Sequence, residues 1–245
     1  MTNFKPHGNA ICLPPRPAGA RAVNCGMDAN TGDVIVEGLI TYLGLVILLT
    51  FHEFGHAWVA LKCGDDTAKL QGRISLNPLM HIDPIGTVLL PLLMIFMSPN
   101  ISRFMIGWAK PVPVNPFNLR NPNRDDILVT LAGPGMNLLL AVVLVALVRV
   151  GLLVHLEPMA DVCWRYAYVS LLLCFFNLIP IPPLDGSRVV RVLVGMSYET
   201  YWHLSRFGFI AVILVLNLPY VRPVLGAVTE TTLAILAAVF GIPLQ

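Results

Sequence analysis

Residues 34–61 read VIVEGLITYLGLVILLTFHEFGHAWVAL, an apolar stretch that carries His52, Glu53 and His56 near its end. About 20 apolar residues are enough for a helix to cross the roughly 30 Å hydrocarbon core of a bilayer. This stretch is long enough to do so, and it is too long for the apolar core of a cleavable signal peptide. It therefore predicts a helix that stays in the membrane and holds ionisable side chains inside it.

The composition of the whole chain also indicates a membrane protein. Of its 245 residues, 56% are hydrophobic and 12% are charged, and the mean hydropathy is +0.73. A soluble domain usually carries about 25% charged residues. The net charge of +2, without a basic run, argues against nucleic acid as a partner. The five cysteines form no CxxC pair, which argues against a thiolate metal site or a disulfide framework.

Further apolar stretches complete the predicted fold. Candidates for additional spans lie at 127–150, 162–182, 204–218 and 224–240. Residues 85–97 are apolar but short and punctuated by prolines, which is typical of a re-entrant or interfacial segment. We therefore predict an all-α polytopic membrane protein with about five full transmembrane helices and one re-entrant or short hydrophobic segment.

The domain organisation follows from the same stretches. Residues 1–33 are rich in Pro, Gly and Asn and lack apolar periodicity, so we expect a disordered N-terminal tail. Residues 34–203 hold the candidates for chemistry and are expected to form the core. Residues 204–245 are expected to add C-terminal transmembrane helices, and the chain leaves no room for an ordinary soluble domain.

His52, Glu53 and His56 form an HExxH motif. On a helix, positions i and i+4 lie on one face, so both imidazoles can bind one metal ion. Glu53 lies beside them and can take a proton from a water activated by that ion. Ionisable residues inside a span are costly and are rarely kept without a purpose. The alternative is that these His and Glu side chains are simply solvated, at the end of the span that reaches water.

A catalytic zinc ion usually has three protein ligands and a water, so a third ligand must come from another segment. The best candidate is Asp185, in the stretch NLIPIPPLDG at 177–186. The three prolines end the preceding helix, and Asp185-Gly186 predicts a tight turn that presents a carboxylate. Alone, Asp-Gly after prolines would be an ordinary loop, so this assignment depends on the HExxH motif.

Together, HEFGH at 52–56 and NLIPIPPLDG at 177–186 resemble the site-2 protease family of intramembrane metalloproteases. The second stretch meets every fixed position of the family's Asn-x-x-Pro-x-x-x-x-Asp-Gly pattern. AGPGMN at 132–137 resembles the start of the family's middle core helix. GRISLNPLMHIDPIG at 72–86 and GWAKPVPVNP at 107–116 resemble compact bacterial members that lack an appended regulatory domain.

The resemblance implies roles for four residues. His52, His56 and Asp185 would bind one Zn²⁺ per chain, and Glu53 would be the general base. The implied reaction is hydrolysis of a peptide bond in or near a transmembrane segment of a membrane-protein substrate. The implied location is the bilayer of a bacterial inner membrane.

Three further residues are candidates for substrate contact. Asn177 could hydrogen-bond the substrate or the oxyanion, and the alternative is a helix–helix hydrogen bond. Asn137 could contact substrate, and the alternative is a packing or capping role. His81 could contact substrate or cover the metal, and the alternative is a position in an interfacial loop.

Two other functions compete with proteolysis. A membrane metal-binding protein or transporter could use the same cluster to pass an ion. It would use Glu53 as a ligand and would need a polar path, for which the spans after Arg191 offer almost no polar residues. An inactive relative could act as a membrane binding partner, although the intact His52, Glu53, His56 and Asp185 argue against this.

The two metal-binding elements also constrain the topology. Both fall at the C-terminal ends of spans, so the chain must cross the membrane an even number of times between them. Residues 85–97 must then enter and leave on the same side. Most Lys and Arg residues fall on the active-site side, and the positive-inside rule places that side in the cytoplasm.

Overall fold

The computed structural model describes residues 31–97 and 107–244, which form helices, turns and loops without a β-strand. The predicted tail lies outside these residues up to position 30, and residues 31–33 already belong to the first helix. The helices are α1 (Thr31–Cys63), α2 (Thr67–Leu70), α3 (Leu90–Met97), α4 (Pro122–Leu153), α5 (Glu157–Asn177), α6 (Asp185–Leu193), α7 (Tyr198–Ser205), α8 (Gly208–Leu216) and α9 (Val221–Val239). A π-helical turn, Pro84–Leu89, precedes α3.

Within the described residues, four helices are long and apolar enough to cross a membrane: α1, α4, α5 and α9. This confirms the predicted class of an all-α polytopic membrane protein. Helix α4 begins with Pro122 in its first turn, where the missing N–H costs nothing. The carboxylate of Asp125 accepts a hydrogen bond from the Asn121 backbone N–H. Its negative charge also interacts favourably with the positive end of the helix dipole.

Helices α1, α4 and α5 form the centre of the fold. A Cβ at Gly55 would lie 2.7 Å from the Ala132 carbonyl oxygen, so glycine there lets α1 and α4 approach closely. Nearer the start of α1, the Tyr166 hydroxyl of α5 donates a hydrogen bond of 2.6 Å to the Ile40 carbonyl. A buried apolar cluster joins α4 and α5 to the C-terminal helix α9 and includes Ala141, Val145, Ala167, Leu171, Leu233 and Ala237.

The residues just before the short apolar segment contact the residues that follow it in the chain. The Trp108 N–H donates to the Gly86 carbonyl at 3.2 Å, and the Thr87 hydroxyl donates to the Trp108 carbonyl at 2.7 Å. Between these points, Ile95 of α3 packs against Gly38 of α1. The segment therefore runs along α1 and comes back to the same level, which agrees with the predicted re-entrant path.

The predicted span at 204–218 is instead two short helices, α7 and α8. Helix α8 has nine residues, which cover about 13 Å at 1.5 Å per residue. It begins against the turn after α5, since a Cβ at Gly208 would lie 2.4 Å from the Pro182 carbonyl oxygen. It ends near the same turn, where Tyr220 and Ile179 line one cavity. Helix α8 is too short to span, and both its start and the residues after it lie near the end of α5. Hydropathy alone does not distinguish such a short packed helix from a span.

Helix α6 is tied to the start of α4 by a charge cluster. The Asp126 carboxylate is fully buried and lies 2.7 Å from guanidinium nitrogens of both Arg188 and Arg191. The Arg191 guanidinium also stacks 3.8 Å from the Tyr198 ring centre. Because Asp185 is the first residue of α6, this cluster helps to set its position.

Candidate active site

Three side-chain atoms converge where α1 meets the start of α6. Asp185 Oδ2 lies 3.2 Å from His52 Nε2 and 3.3 Å from His56 Nε2, and the two Nε2 atoms are 3.1 Å apart. Both histidines are buried. In the part of the chain that the structure describes, these three residues are the His, Cys, Asp and Glu group arranged to hold a metal ion.

The triangle of donor atoms fits Zn²⁺. Ligand atoms at about 2.0–2.1 Å from a tetrahedral zinc ion lie about 3.3 Å from one another, close to the three separations found here. Two imidazoles and one carboxylate are also a donor set that zinc prefers, and three protein ligands leave a fourth position open. Asp185 Oδ2 is buried without a well-aligned hydrogen-bond donor, as expected for an atom that faces a cation.

Each ligand is placed by local structure. His52 and His56 are one turn apart on α1, which puts both rings on one face. Asp185 starts α6 after the proline-rich turn, and Gly186 lets that turn close. A Cβ at Gly186 would lie 2.2 Å from the Leu178 carbonyl oxygen, so only glycine fits there.

Helix α4 forms the wall behind the two imidazoles. A Cβ at Gly133 would lie 2.3 Å from His56 Nε2 and 2.7 Å from His52 Cε1. Glycine at this position therefore leaves the space that the rings occupy. Gly135, two residues further along the same helix, faces open space, because a Cβ added there would have nothing within 4 Å.

The outer ring nitrogens of both histidines face α4. His56 Nδ1 lies 2.7 Å from the Val129 carbonyl oxygen, and His52 Nδ1 lies 3.2 Å from Asn137 Nδ2. Metal-binding histidines normally have such a partner on the second nitrogen. Sequence reasoning missed both contacts, although Val129, Gly133 and Asn137 are spaced by four and share one helix face.

Glu53 lies beside the triangle but is not part of it. Its Oε2 accepts a hydrogen bond of 2.8 Å from the Val112 N–H. Val112 belongs to a stretch without regular secondary structure, residues 107–115, that several hydrogen bonds hold to the rest of the fold. The buried Arg73 donates to the Lys110 carbonyl at 2.6 Å, and Asp65 accepts from the Asn115 N–H at 2.7 Å.

The other predicted site residues contact groups of the protein itself. Asn177 donates through Nδ2 to the Leu173 carbonyl of its own helix at 2.9 Å. His81 is buried, and its Nε2 lies 2.8 Å from the Ser75 carbonyl oxygen. Asn137 is fully buried behind His52. Substrate contact by these residues stays a prediction.

Two carboxyl groups outside the spans have shifted pKa values. Burial alone would raise the pKa of Asp185, but the facing His56 and His52 imidazoles hold it well below its usual range. Burial would likewise raise the pKa of Asp65, but hydrogen bonds from Thr67, Asn115 and Asn118 outweigh it and lower that pKa. Both groups are therefore carboxylates at neutral pH, as a metal ligand and a loop anchor require.

The fold and the site define a multi-pass membrane protein with a candidate metal site built from an HExxH helix and a distant aspartate. The sequence pattern of Peptidase family M50 matches residues 40–157 and 151–216. This chain belongs to Peptidase family M50, which confirms the resemblance to site-2 proteases drawn from the two motifs.

Curated relatives agree with this assignment. "Putative zinc metalloprotease YwhC" of Bacillus subtilis is 36% identical over 216 residues, which cover 82% of this chain and 94% of that protein. "Putative zinc metalloprotease Rip2" of Mycolicibacterium smegmatis is 31% identical over 200 residues, which cover 74% of this chain and 70% of that protein. No solved structure shows a significant match to the chain.

Proposed function

We propose that this protein is a zinc-dependent intramembrane endopeptidase that cuts a peptide bond in or near a transmembrane segment of a membrane-protein substrate. The convergence of His52, His56 and Asp185 on one point between apolar helices carries this proposal. Membership of a peptidase family and the names of the relatives support it. We place the chemistry in residues 34–203.

The chemistry divides between the ion and one side chain. When bound by His52, His56 and Asp185, zinc would supply Lewis acidity that lowers the pKa of a water ligand toward about 7 and polarises a carbonyl group. Glu53 would take the proton of the attacking water and then give it to the departing amine. The Val112 N–H holds one carboxylate oxygen of Glu53, which leaves the other free for this transfer.

The substrate must arrive in an unwound form. A peptide bond inside a helix has its carbonyl and N–H groups engaged in backbone hydrogen bonds, and neighbouring turns shield it. We therefore propose that the substrate's transmembrane helix unwinds locally before it reaches Glu53. Sites with helix-breaking residues would be cut most readily.

The distribution of arginine residues supports an active site that faces the cytoplasm. Arg188 and Arg191 lie on α6, directly after Asp185. Arg222 is the second residue of α9, whose start lies beside the end of α5, so we assign it to this side as well. By the positive-inside rule, we propose that this side is cytoplasmic, in a bacterial inner membrane.

The proposed function is tested by zinc content and peptide cleavage in detergent-purified protein. We expect about one zinc per chain in the unaltered protein and in Glu53→Gln, and a loss of zinc affinity in Asp185→Ala. A fluorogenic transmembrane peptide with a Gly-Pro break should be cut by the unaltered protein and left intact by Glu53→Gln. Loss of zinc in Glu53→Gln with retention in Asp185→Ala would instead favour the metal-transport alternative.

A further inference from the structure

Asn137 presents an unusual polar arrangement directly behind the metal site. Its side chain is fully buried, and its Nδ2 lies 3.2 Å from His52 Nδ1. Its carbonyl oxygen, Oδ1, is also buried and has no hydrogen-bond partner among the described residues. A buried amide normally satisfies its oxygen, so the arrangement calls for an explanation.

The tautomer of His52 explains why the Asn137 oxygen has no partner in this orientation. Its Nε2 points at Asp185 Oδ2 and at the Nε2 of His56, so Nε2 is the atom that faces the ion. A neutral imidazole that binds metal through Nε2 carries its proton on Nδ1, which then needs an acceptor. The amide nitrogen of Asn137 cannot accept that proton, whereas its oxygen can.

We propose that Asn137 is a positioning residue for the metal site: its Oδ1 accepts the Nδ1–H of His52 and fixes the ring. The oxygen and nitrogen of an amide have nearly the same shape, so turning the group by 180° exchanges them without moving other atoms. The turn pairs the oxygen with the Nδ1–H, removes a clash between two donors, and places the amide nitrogen where the oxygen stood. This inference rests on the proposed zinc site and names one residue that would hold its ligand His52 in place.

The partner histidine is held in the same way. His56 Nδ1 lies 2.7 Å from the Val129 carbonyl oxygen, on the same face of α4. One helix would therefore provide both acceptors, one from its backbone and one from a side chain. The backbone of Asn137 is itself anchored, because the buried Ser170 hydroxyl of α5 donates to its carbonyl at 2.7 Å. Of the two acceptors, only Asn137 can be removed by substitution.

Zinc affinity, measured by chelator competition, tests this role. Asn137→Leu keeps the approximate shape but has no acceptor, and we expect its zinc dissociation constant to rise about 10- to 100-fold. Asn137→Asp restores an acceptor oxygen and should stay within about threefold of the unaltered protein. Asn217→Leu is the matched control, since it makes the same substitution at an exposed position that bonds to the Ile213 carbonyl of α8, and it should leave zinc affinity unchanged.

The outcomes separate the possible roles. Unchanged zinc affinity in Asn137→Leu, or equal losses in Asn137→Leu and Asn137→Asp, would overturn the proposal. An increase in KM for the model peptide at unchanged zinc affinity would assign Asn137 to substrate contact and would also overturn it. If Asn137→Leu does not fold, the affinity of Asn137→Asp decides alone. Failure of the unaltered protein to bind zinc would instead refute the proposed function.

Discussion

The backbone nitrogen of Val112 donates a hydrogen bond of 2.8 Å to Oε2 of Glu53, across 59 positions of the chain. Val112 stands between Pro111 and Pro113, neither of which has a backbone N–H. It is therefore the single donor available in that Pro-Val-Pro stretch. Its N–H is aimed at the carboxylate of the HExxH motif, which is not one of the three clustered donor groups.

Removing this N–H should slow the reaction without emptying the metal site. Val112→Pro deletes the donor, whereas the control Val112→Ala keeps it and shortens only the side chain. A hydrogen bond to a charged group is worth about 1.5–3 kcal/mol, so we expect kcat to fall roughly 10- to 100-fold in Val112→Pro. Cleavage of the model peptide, with zinc content measured beside it, is the assay. Equal activity in both variants would show that the contact does not orient Glu53.

Two glycines of α4 offer a matched pair of substitutions. A methyl group at Gly133 would collide with His56 Nε2 and His52 Cε1, whereas one at Gly135 would meet nothing within 4 Å. We expect Gly133→Ala to lose zinc binding. Gly135→Ala should bind zinc normally and gain about 0.5–1 kcal/mol in stability, because alanine is the better helix former. Zinc titration and thermal unfolding in detergent measure both effects, and normal zinc binding by Gly133→Ala would contradict the packing described.

The buried carboxylate of Asp126 should be important for stability. Asp126→Ala leaves Arg188 and Arg191 without their counter-charge, and breaking a buried ion pair costs about 3–5 kcal/mol. The control is Glu37→Ala, which removes a half-exposed pair with Arg165 at 3.4 Å and should cost about 0–1 kcal/mol. Thermal unfolding in detergent compares the two. Similar midpoints for both variants would show that the Asp126 cluster does not hold α6 to α4.

Asp65 should make stability depend on pH in the acid range. Its pKa is lower in the folded protein than its ordinary value of 3.8, so its contribution to stability is fully present above that value. The contribution is lost as the pH falls through the lowered pKa of the folded state. Asp65→Asn should therefore destabilise the protein at neutral pH and show a flatter acid profile.

The exposed neighbour Asp66 provides the control for this prediction. Its side chain makes no capping hydrogen bond to α2, so Asp66→Asn should follow the unaltered protein. Thermal unfolding from about pH 3 to pH 7 measures the profiles. A chelator present throughout keeps metal release out of the comparison. Parallel profiles for the unaltered protein and Asp65→Asn would contradict the assignment of the shift to Asp65.

Interactions that are local in the chain could be predicted from the residues alone. The pairing of His52 with His56 follows from the helical repeat, and the long spans follow from runs of apolar residues. Asp185 was found by its pattern and by the need for a third ligand, and the structure places its carboxylate beside both imidazoles. The return of the chain around residues 85–97 followed from counting membrane crossings.

Interactions between distant segments could not be predicted in this way. The segment 204–218 has the hydropathy of a span, but its helix α8 is only nine residues long and begins in contact with the Pro182 turn. Nothing in the residue pattern places Val112 against Glu53 or aims Asn137 at His52. These contacts depend on the angle and closeness at which whole helices pack.

The sequence by itself determined that the chain is a polytopic helical protein, and it supplied the residues of its candidate metal site, since hydropathy and helical periodicity depend on neighbouring residues. Only the folded structure showed which apolar stretches form helices long enough to span, which groups contact Glu53 and the two histidines, and why position 133 must be glycine. The physical reason is that packing brings together side chains from remote segments at distances of about 3 Å, and no local pattern encodes such a distance.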